Sequence, residues 1–249
     1  MDHATRFRLA EDLCARMVAA HPGEVILGGV YGSTASGTDT PRSDLEMIFV
    51  LDRGSRIQRR ELLCAGIAAG WFTIGQRKLE SLLTRPSPEW PFWMGMLSAL
   101  QPLHGDPARL AAWLEMGQAV PERRFRRALE EALPGLVVES YGRILSCSER
   151  GNRDDAGCAV LEVLFEMRTA LCLLNRRWVT HDYLQGLLDT FDFPRLPAGW
   201  RELVPALWRA REIAEIVPLA ERLYSAYRRL LAEEGVRWEE YARAEEVPL

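Results

Sequence analysis

The chain contains 249 residues, of which 48% are hydrophobic and 27% are charged. This length and balance are typical of one large folded domain or two small ones, and they argue against collagen-like, low-complexity and disordered classes. The formal net charge of -4 gives no basic field. We therefore expect neither a nucleic acid nor a membrane surface as a partner.

The cysteines predict neither a metal site nor a disulfide framework. All five are scattered, without a Cys-x-x-Cys pair or a nearby histidine pattern. No stretch reaches the roughly 18 uncharged apolar residues of a membrane span, and the N-terminus lacks the apolar core of a signal peptide. We expect reduced thiols and a cytoplasmic protein.

The N-terminal half predicts a small mixed β-sheet with helices. Residues 6–20 carry apolar side chains at helical spacing, and Val25–Tyr31 and Leu45–Leu51 are apolar runs separated by a loop rich in Gly, Ser and Thr. The other elements predicted in this half are a helix over 58–69, a strand near 71–77 and a short helix at 79–83.

The second half predicts only helices, because helix-period stretches replace the β-branched runs from about Pro107 onward. Residues 158–177 are apolar almost all round, which is typical of the central helix of a bundle. Thr180 is expected to cap a helix that begins at Tyr183. The fold class is therefore α+β, with a sheet-bearing domain at 1–118 and an all-helical domain at 119–249.

One segment carries a chemical pattern. Gly32 and Ser33 follow a predicted strand, and Asp44 and Glu46 lie in the next strand. Side chains at i and i+2 of a strand share a face, so the two carboxylates should be neighbours. Adjacent carboxylates repel unless a cation neutralises them, and hard oxygen ligands suit Mg²⁺.

A turn at Gly32 and Ser33 offers backbone N–H groups and a hydroxyl to phosphate oxygens. Together with a bound magnesium ion, such a turn predicts nucleotidyl transfer, in which an acceptor hydroxyl attacks the α-phosphorus of a nucleoside triphosphate. The alternative is that Asp44 and Glu46 are solvent-facing residues of an edge strand and that the glycines only form a turn.

The longer string resembles the kanamycin nucleotidyltransferase group of aminoglycoside 4'-O-nucleotidyltransferases. The resemblance is carried by residues 28–50, including Thr38, Asp39, Pro41 and Ser43 of the connector, and downstream by Trp90-Pro91, Val138-Glu139 and Gly142-Arg143. It implies a polymerase-β-like nucleotidyltransferase domain followed by a helical domain.

The resemblance also implies a role for each matched residue. Asp44 and Glu46 would be catalytic ligands of Mg²⁺, and Gly32 and Ser33 would hold the triphosphate of ATP or another NTP. Glu139 would contact the acceptor and act as the general base that takes the proton of its hydroxyl.

Arg143 lies four residues after Glu139, so the two side chains share a helical face. It would meet the α-phosphate of the nucleotide or hold Glu139 in place. Without the resemblance, this pair is an ordinary solvated salt bridge.

Three further acids are candidates for contacts with an aminoglycoside. Glu61 falls where the family has another acidic active-site residue, although it also fits an exposed helix position. Glu162 and Glu166 lie one turn apart on an apolar helix and need a partner such as Arg168 or a cationic ligand. The family also carries an acidic strand position where this chain has Ile74.

The implied activity is transfer of AMP to the 4'-hydroxyl of aminoglycosides such as kanamycin, tobramycin and amikacin, with release of pyrophosphate and resulting resistance. The family implies a homodimer. Two alternatives stay open: a nucleotidyltransferase with another acceptor, and a non-catalytic, antitoxin-like interaction module of the same fold.

Overall fold

The computed structural model describes residues 1–237 and 239–248. It divides into two compact units, Met1–Val120 and a second unit that begins at Pro121. The first unit contains a sheet with helices. In the second unit, every regular element over the described residues is helical. The predicted mixed α+β class is confirmed.

The sheet of the first unit is mixed. Its five strands are β1 Val25–Tyr31, β2 Leu45–Leu51, β3 Arg60–Cys64, β4 Ile67–Gly75 and β5 Gln101–Gly105. Their order is β3-β4-β2-β1-β5. Strands β2 and β4 run parallel, and the other neighbouring strands pair antiparallel.

The helices of the first unit are α1 His3–Ala20, α2 Gly32–Ser36, α3 Gln76–Thr84, α4 Trp90–Ser98 and α5 Pro107–Gln118. Helix α1 buries Ala10 and Cys14 in one core with Met47 and Phe49 of β2. These two β2 residues share a face, so Glu46 and Ile48 belong to the opposite face of the sheet. Helix α3 contacts β2 and β4.

The helix predicted over 58–69 is wrong. These residues form β3, a tight turn and the start of β4, which runs from Ile67 to Gly75 rather than from 71 to 77. Ala65 and Gly66 occupy the turn with φ of 50° and 83°. Two successive positive φ values are typical of the turn that joins a two-stranded hairpin, and they end any helix.

The structure adds two elements that the sequence analysis did not predict, α4 and β5. Strand β5 contains Pro102, a residue that is unusual in strands, and it lies at the edge of the sheet. An edge strand tolerates proline because one side of its backbone has no ladder to complete. The loop expected after Gly32 also begins with a short helix, α2.

The second unit contains six helices over its described residues: α6 Glu122–Ala132, α7 Val137–Glu149, α8 Arg153–Asn175, α9 Tyr183–Leu188, α10 Trp200–Arg209 and α11 Ile213–Glu233. Single 3₁₀ turns lie at Leu133–Gly135, Asp189–Asp192 and Ala244–Glu246.

Helix α8 is the central helix of this unit, as its apolar composition predicted. It contacts α6, α7, α9, α10 and α11, and its buried side chains include Val163, Leu164 and Met167. One capping prediction is wrong. Asp182, not Thr180, precedes α9, and its side chain accepts no capping hydrogen bond.

Over the described residues, no helix combines the length and the apolar character needed to cross a lipid bilayer.

Candidate active site

One row of residues crosses four strands on a single face of the sheet. Tyr31 of β1 pairs with Glu46 of β2, Glu46 pairs with Gly70 of β4, and Gly70 pairs with Glu61 of β3. Side chains of directly paired residues point to the same face. We call these four residues the cross-strand row.

A pocket of about 360 Å³ lies over this row. Asp44, which directly precedes β2, also lines it, so both predicted metal ligands face one space. Asp44 is exposed and Glu46 is half-buried, whereas Ile48 farther along β2 is fully buried. The two carboxylates therefore lie where the strand leaves the core and meets solvent.

The remaining pocket residues come from the same four strands and their connections: Tyr31, Leu45, Arg59, Glu61, Leu62, Ala68, Ala69, Gly70, Trp71 and Phe72.

Gly32 and the carboxylate of Glu46 are in direct contact. Gly32 has φ +68°, and a Cβ atom on it would collide with Oε2 of Glu46. Glycine is therefore required here both by its backbone conformation and by the adjacent acid. Gly32 and the half-buried Ser33 begin α2, so the predicted phosphate turn lies directly beside a predicted metal ligand.

The far side of the pocket carries a loose ion pair and an aromatic ring. Nη2 of Arg59 is 3.7 Å from Oε1 of Glu61, and both side chains are mostly exposed. The guanidinium of Arg59 also lies 5.9 Å from the centre of the Phe72 ring. An exposed pair of this kind contributes less than about 1 kcal/mol to stability. Glu61 can therefore exchange Arg59 for another cation at little cost.

The two carboxylates of the pocket fit part of the ligand set of a magnesium ion. Among residues 1–237 and 239–248, no group of three or more His, Cys, Asp or Glu side chains is arranged to hold a metal. Asp44 and Glu46 supply two carboxylates at one pocket. Mg²⁺ is usually bound through one or two carboxylates together with water and substrate phosphates, so two suffice.

The other four predicted site residues form a second cluster, on α7 and α8. Arg143 donates a 2.6 Å hydrogen bond to Oε1 of Glu139 and another 2.6 Å hydrogen bond to Oε2 of Glu162. The expected Glu139–Arg143 pair is thus present. The side chains of Glu139, Arg143 and Glu162 are each about half exposed. The partner of Glu162 is Arg143 rather than Arg168.

Glu166 has a more buried environment than the other acids of this cluster. Its carboxylate accepts a hydrogen bond from the hydroxyl of Ser140, which is itself buried. Burial raises the pKa of Glu166, the hydrogen bond from Ser140 opposes that shift, and the negative charge of Glu162 adds to it. Glu166 therefore binds a proton more readily than an exposed glutamate.

The predicted site residues thus form two groups. Asp44, Glu46 and Glu61 line the pocket of the first unit, and Gly32, followed by Ser33, lies against the carboxylate of Glu46. Glu139, Arg143, Glu162 and Glu166 form the cluster of the second unit. Glu61 belongs to a strand, not to the helix that its sequence pattern suggested.

Sequence reasoning missed Gly70, Arg59 and Phe72. The incorrect helix at 58–69 removed β3 and the first three residues of β4 from the predicted sheet, so the strand pairing that brings these residues to the pocket was not predicted. The available signal was Gly66, which lies between two short runs of Leu and Ala and is compatible with a hairpin turn. Ile74, where the resembled family has an acid, is buried.

No protein-family model and no curated protein matches the chain. Among solved structures, the chain is similar to the crystal structure of a nucleotidyltransferase-like protein from Exiguobacterium sibiricum 255-15, with a TM-score of 0.53 and 13% identity. The similarity covers 92% of this chain and 77% of that chain. At this identity it shows the fold: the chain has the fold of a nucleotidyltransferase-like protein.

Proposed function

We propose that the protein transfers AMP from ATP, or the equivalent group from another NTP, to the 4'-hydroxyl of an aminoglycoside such as kanamycin, tobramycin or amikacin. Pyrophosphate is released, and the modified drug no longer acts, which confers resistance. The observation that carries this proposal is the pocket that Asp44 and Glu46 line, with Gly32 against the carboxylate of Glu46. The fold shared with a nucleotidyltransferase-like protein supports the reaction class.

In this proposal the first unit binds the nucleotide. Gly32 and Ser33 hold the triphosphate through backbone N–H groups and the Ser33 hydroxyl, and the missing side chain of Gly32 makes room for the Glu46 carboxylate beside them. Asp44 and Glu46 would hold Mg²⁺, which when bound neutralises charge on the phosphate oxygens.

The reaction is a single displacement at the α-phosphorus. A bond forms between the acceptor oxygen and the α-phosphorus, and the bond from that phosphorus to the bridging oxygen of pyrophosphate breaks. Glu139 takes the proton of the acceptor hydroxyl, and Arg143 holds the Glu139 carboxylate in one orientation through its 2.6 Å hydrogen bond. A positioned carboxylate base contributes roughly 100- to 10,000-fold in rate.

The acceptor assignment depends on charge and on the resemblance in residues 28–50 and 90–143. Aminoglycosides carry several ammonium groups, which favour acidic pockets. Glu61 is an exposed acid at the pocket of the first unit. Glu162 and Glu166 are the further acids proposed for ammonium contacts.

Replacement of Asp44 by Asn tests the metal assignment. The variant removes one negative ligand and leaves the size of the side chain nearly unchanged, so we expect turnover with Mg²⁺ to fall at least about 100-fold. The matched control is Asp52→Asn, because Asp52 is exposed at the opposite end of β2. Pyrophosphate release with ATP and tobramycin measures both. Near-normal turnover of Asp44→Asn at ordinary Mg²⁺ concentrations would overturn the assignment.

Replacement of Glu139 by Gln tests the general base. Because glutamine cannot accept the proton, we expect the single-turnover rate to fall about 100-fold or more, with nucleotide affinity nearly unchanged. Glu149→Gln is the control, since Glu149 is an exposed acid at the end of the same helix. An unchanged single-turnover rate for Glu139→Gln makes Glu139 a structural residue.

A further inference from the structure

The candidate site residues of the first unit follow a fixed order across the sheet, from the start of α2 beside the pocket to the pocket residues of β2, β4 and β3. Gly32 and Ser33 follow β1 at one side, Glu46 of β2 comes next, Gly70 of β4 follows, and Glu61 of β3 lies at the far side. Neighbouring strands are about 4.8 Å apart, so the backbones at Glu46 and Glu61 are separated by about 10 Å. Only the backbone of Gly70 lies between these two acids in the cross-strand row.

The geometry of in-line displacement indicates on which side of Glu46 the acceptor would bind. The attacking oxygen and the leaving oxygen lie on opposite sides of the reacting phosphorus. If the triphosphate end is held at Gly32 and Ser33, pyrophosphate leaves toward β1, and the attacking hydroxyl must come from the opposite side. That side of Glu46 is the strip of sheet formed by Gly70 and Glu61.

The strip is open because Gly70 has no side chain. A Cβ atom at Gly70 would lie 3.3 Å from the carbonyl oxygen of Arg60 and 3.3 Å from Cγ of Glu61. Both distances are shorter than ordinary contacts, so with alanine the side chain of Glu61 must move by a few tenths of an ångström. A larger side chain would stand on the pocket floor between the two acids.

We infer that Gly70 is the specificity-determining residue for the acceptor, whose hydroxyl-bearing ring lies on the bare backbone between Glu46 and Glu61. This inference rests on the proposed function. Phe72, two residues farther along β4 on the same face, forms an apolar edge of the strip. At the other edge, Ala68 has only a methyl side chain, so it does not block access to the strip. A flat ring can bind on this strip with its cationic substituent paired with Glu61, in place of the ion pair between Glu61 and Arg59.

The test compares Gly70→Ala and Gly70→Val with Gly75→Ala. Gly75 lies at the end of the same strand, has φ -69°, and has open space where its Cβ would be. We expect the acceptor KM to rise about tenfold for Gly70→Ala and further for Gly70→Val, since one added carbon in a fitted pocket costs about 10- to 200-fold. The KM for Mg-ATP should stay within about twofold of the wild-type value, because the triphosphate turn is on the other side of Glu46.

Glu61→Gln serves as a second variant that leaves the sheet backbone unchanged. It should raise the KM of aminoglycosides and leave the KM of Mg-ATP unchanged, since it removes the charge and keeps the shape. Circular dichroism and thermal denaturation of every variant identify any loss of folding.

The outcomes separate this inference from the proposed function. A wild-type protein that transfers AMP, together with Gly70 variants whose acceptor KM equals that of Gly75→Ala, overturns the inference alone. A Gly70→Val variant that loses Mg-ATP affinity to the same extent as acceptor affinity also overturns it. A wild-type protein that releases no pyrophosphate with any acceptor overturns the proposed function, and the inference with it.

Discussion

At Glu166, burial and the charge of Glu162 raise the pKa of the carboxyl, and the hydrogen bond from Ser140 opposes them. Its half-buried carboxylate is hydrogen-bonded to Ser140 and lies near the charge of Glu162. Burial, the largest cause, raises its pKa, so the native state holds this proton more tightly than the unfolded chain does. The resulting stabilisation is fully present below the pKa of the unfolded chain and is lost as pH rises through the raised native pKa.

Glu166→Gln should therefore change how stability depends on pH. Glutamine is neutral at every pH and still offers an oxygen to Ser140. We expect the melting temperature of the variant, relative to the wild type, to increase as the pH rises from about 4 to about 7. Thermal denaturation at several pH values measures the difference. A difference that is constant over this range would show that Glu166 titrates as it does in the unfolded chain.

At the scale of elements, the connector before Asp44 is fixed to α1. The side chain of Arg6 is fully buried and pairs with the equally buried carboxylate of Asp39, and its Nη2 donates a 2.8 Å hydrogen bond to the carbonyl oxygen of Thr40. His3 also hydrogen-bonds Asp39, at 2.6 Å. These contacts hold the chain between α2 and β2, and so fix where Asp44 enters the pocket.

Arg6→Met removes one charge of this pair and keeps most of the side-chain volume. It leaves the Asp39 carboxylate buried without its guanidinium, which should reduce the free energy of unfolding by about 3 kcal/mol. The double variant Arg6→Met/Asp39→Asn also removes the buried negative charge of Asp39, so it should recover part of the lost free energy of unfolding. Urea denaturation measures both variants. A double variant less stable than Arg6→Met would contradict this account of the pair.

The elements that the sequence predicts well are those whose local pattern agrees with their environment. Strands β1 and β2 have the predicted bounds, since their nearly continuous apolar runs match their burial. The helix prediction for residues 58–69 failed because Leu, Ala and Glu favour a helix locally. Pairing of β4 with β2 and a positive-φ turn at Ala65 and Gly66 outweigh that preference.

The site was predictable to the extent that it is local in sequence. Asp44, directly before β2, and Glu46 within it line one pocket, as their spacing of two residues indicates. Gly70 and Glu61 join them only through strand pairing, with no sequence spacing to show it. Predicting the complete pocket would have required the strand order.

At the scale of the whole molecule, the shared fold extends over most of the chain although only 13% of residues are identical to the solved nucleotidyltransferase-like protein. A fold can be shared by proteins with different activities, so the function depends on the site rather than on the architecture. The homodimer and the assignment of domains to 1–118 and 119–249 stay predictions.

We propose that the pocket of Asp44 and Glu46 transfers a nucleotidyl group to an amino sugar. The most direct test is the mass of tobramycin after incubation with the purified protein, ATP and Mg²⁺. The account predicts a gain of one AMP that requires the metal and equals the pyrophosphate released. A gain of a single phosphate, or an unchanged mass despite bound ATP, would contradict it.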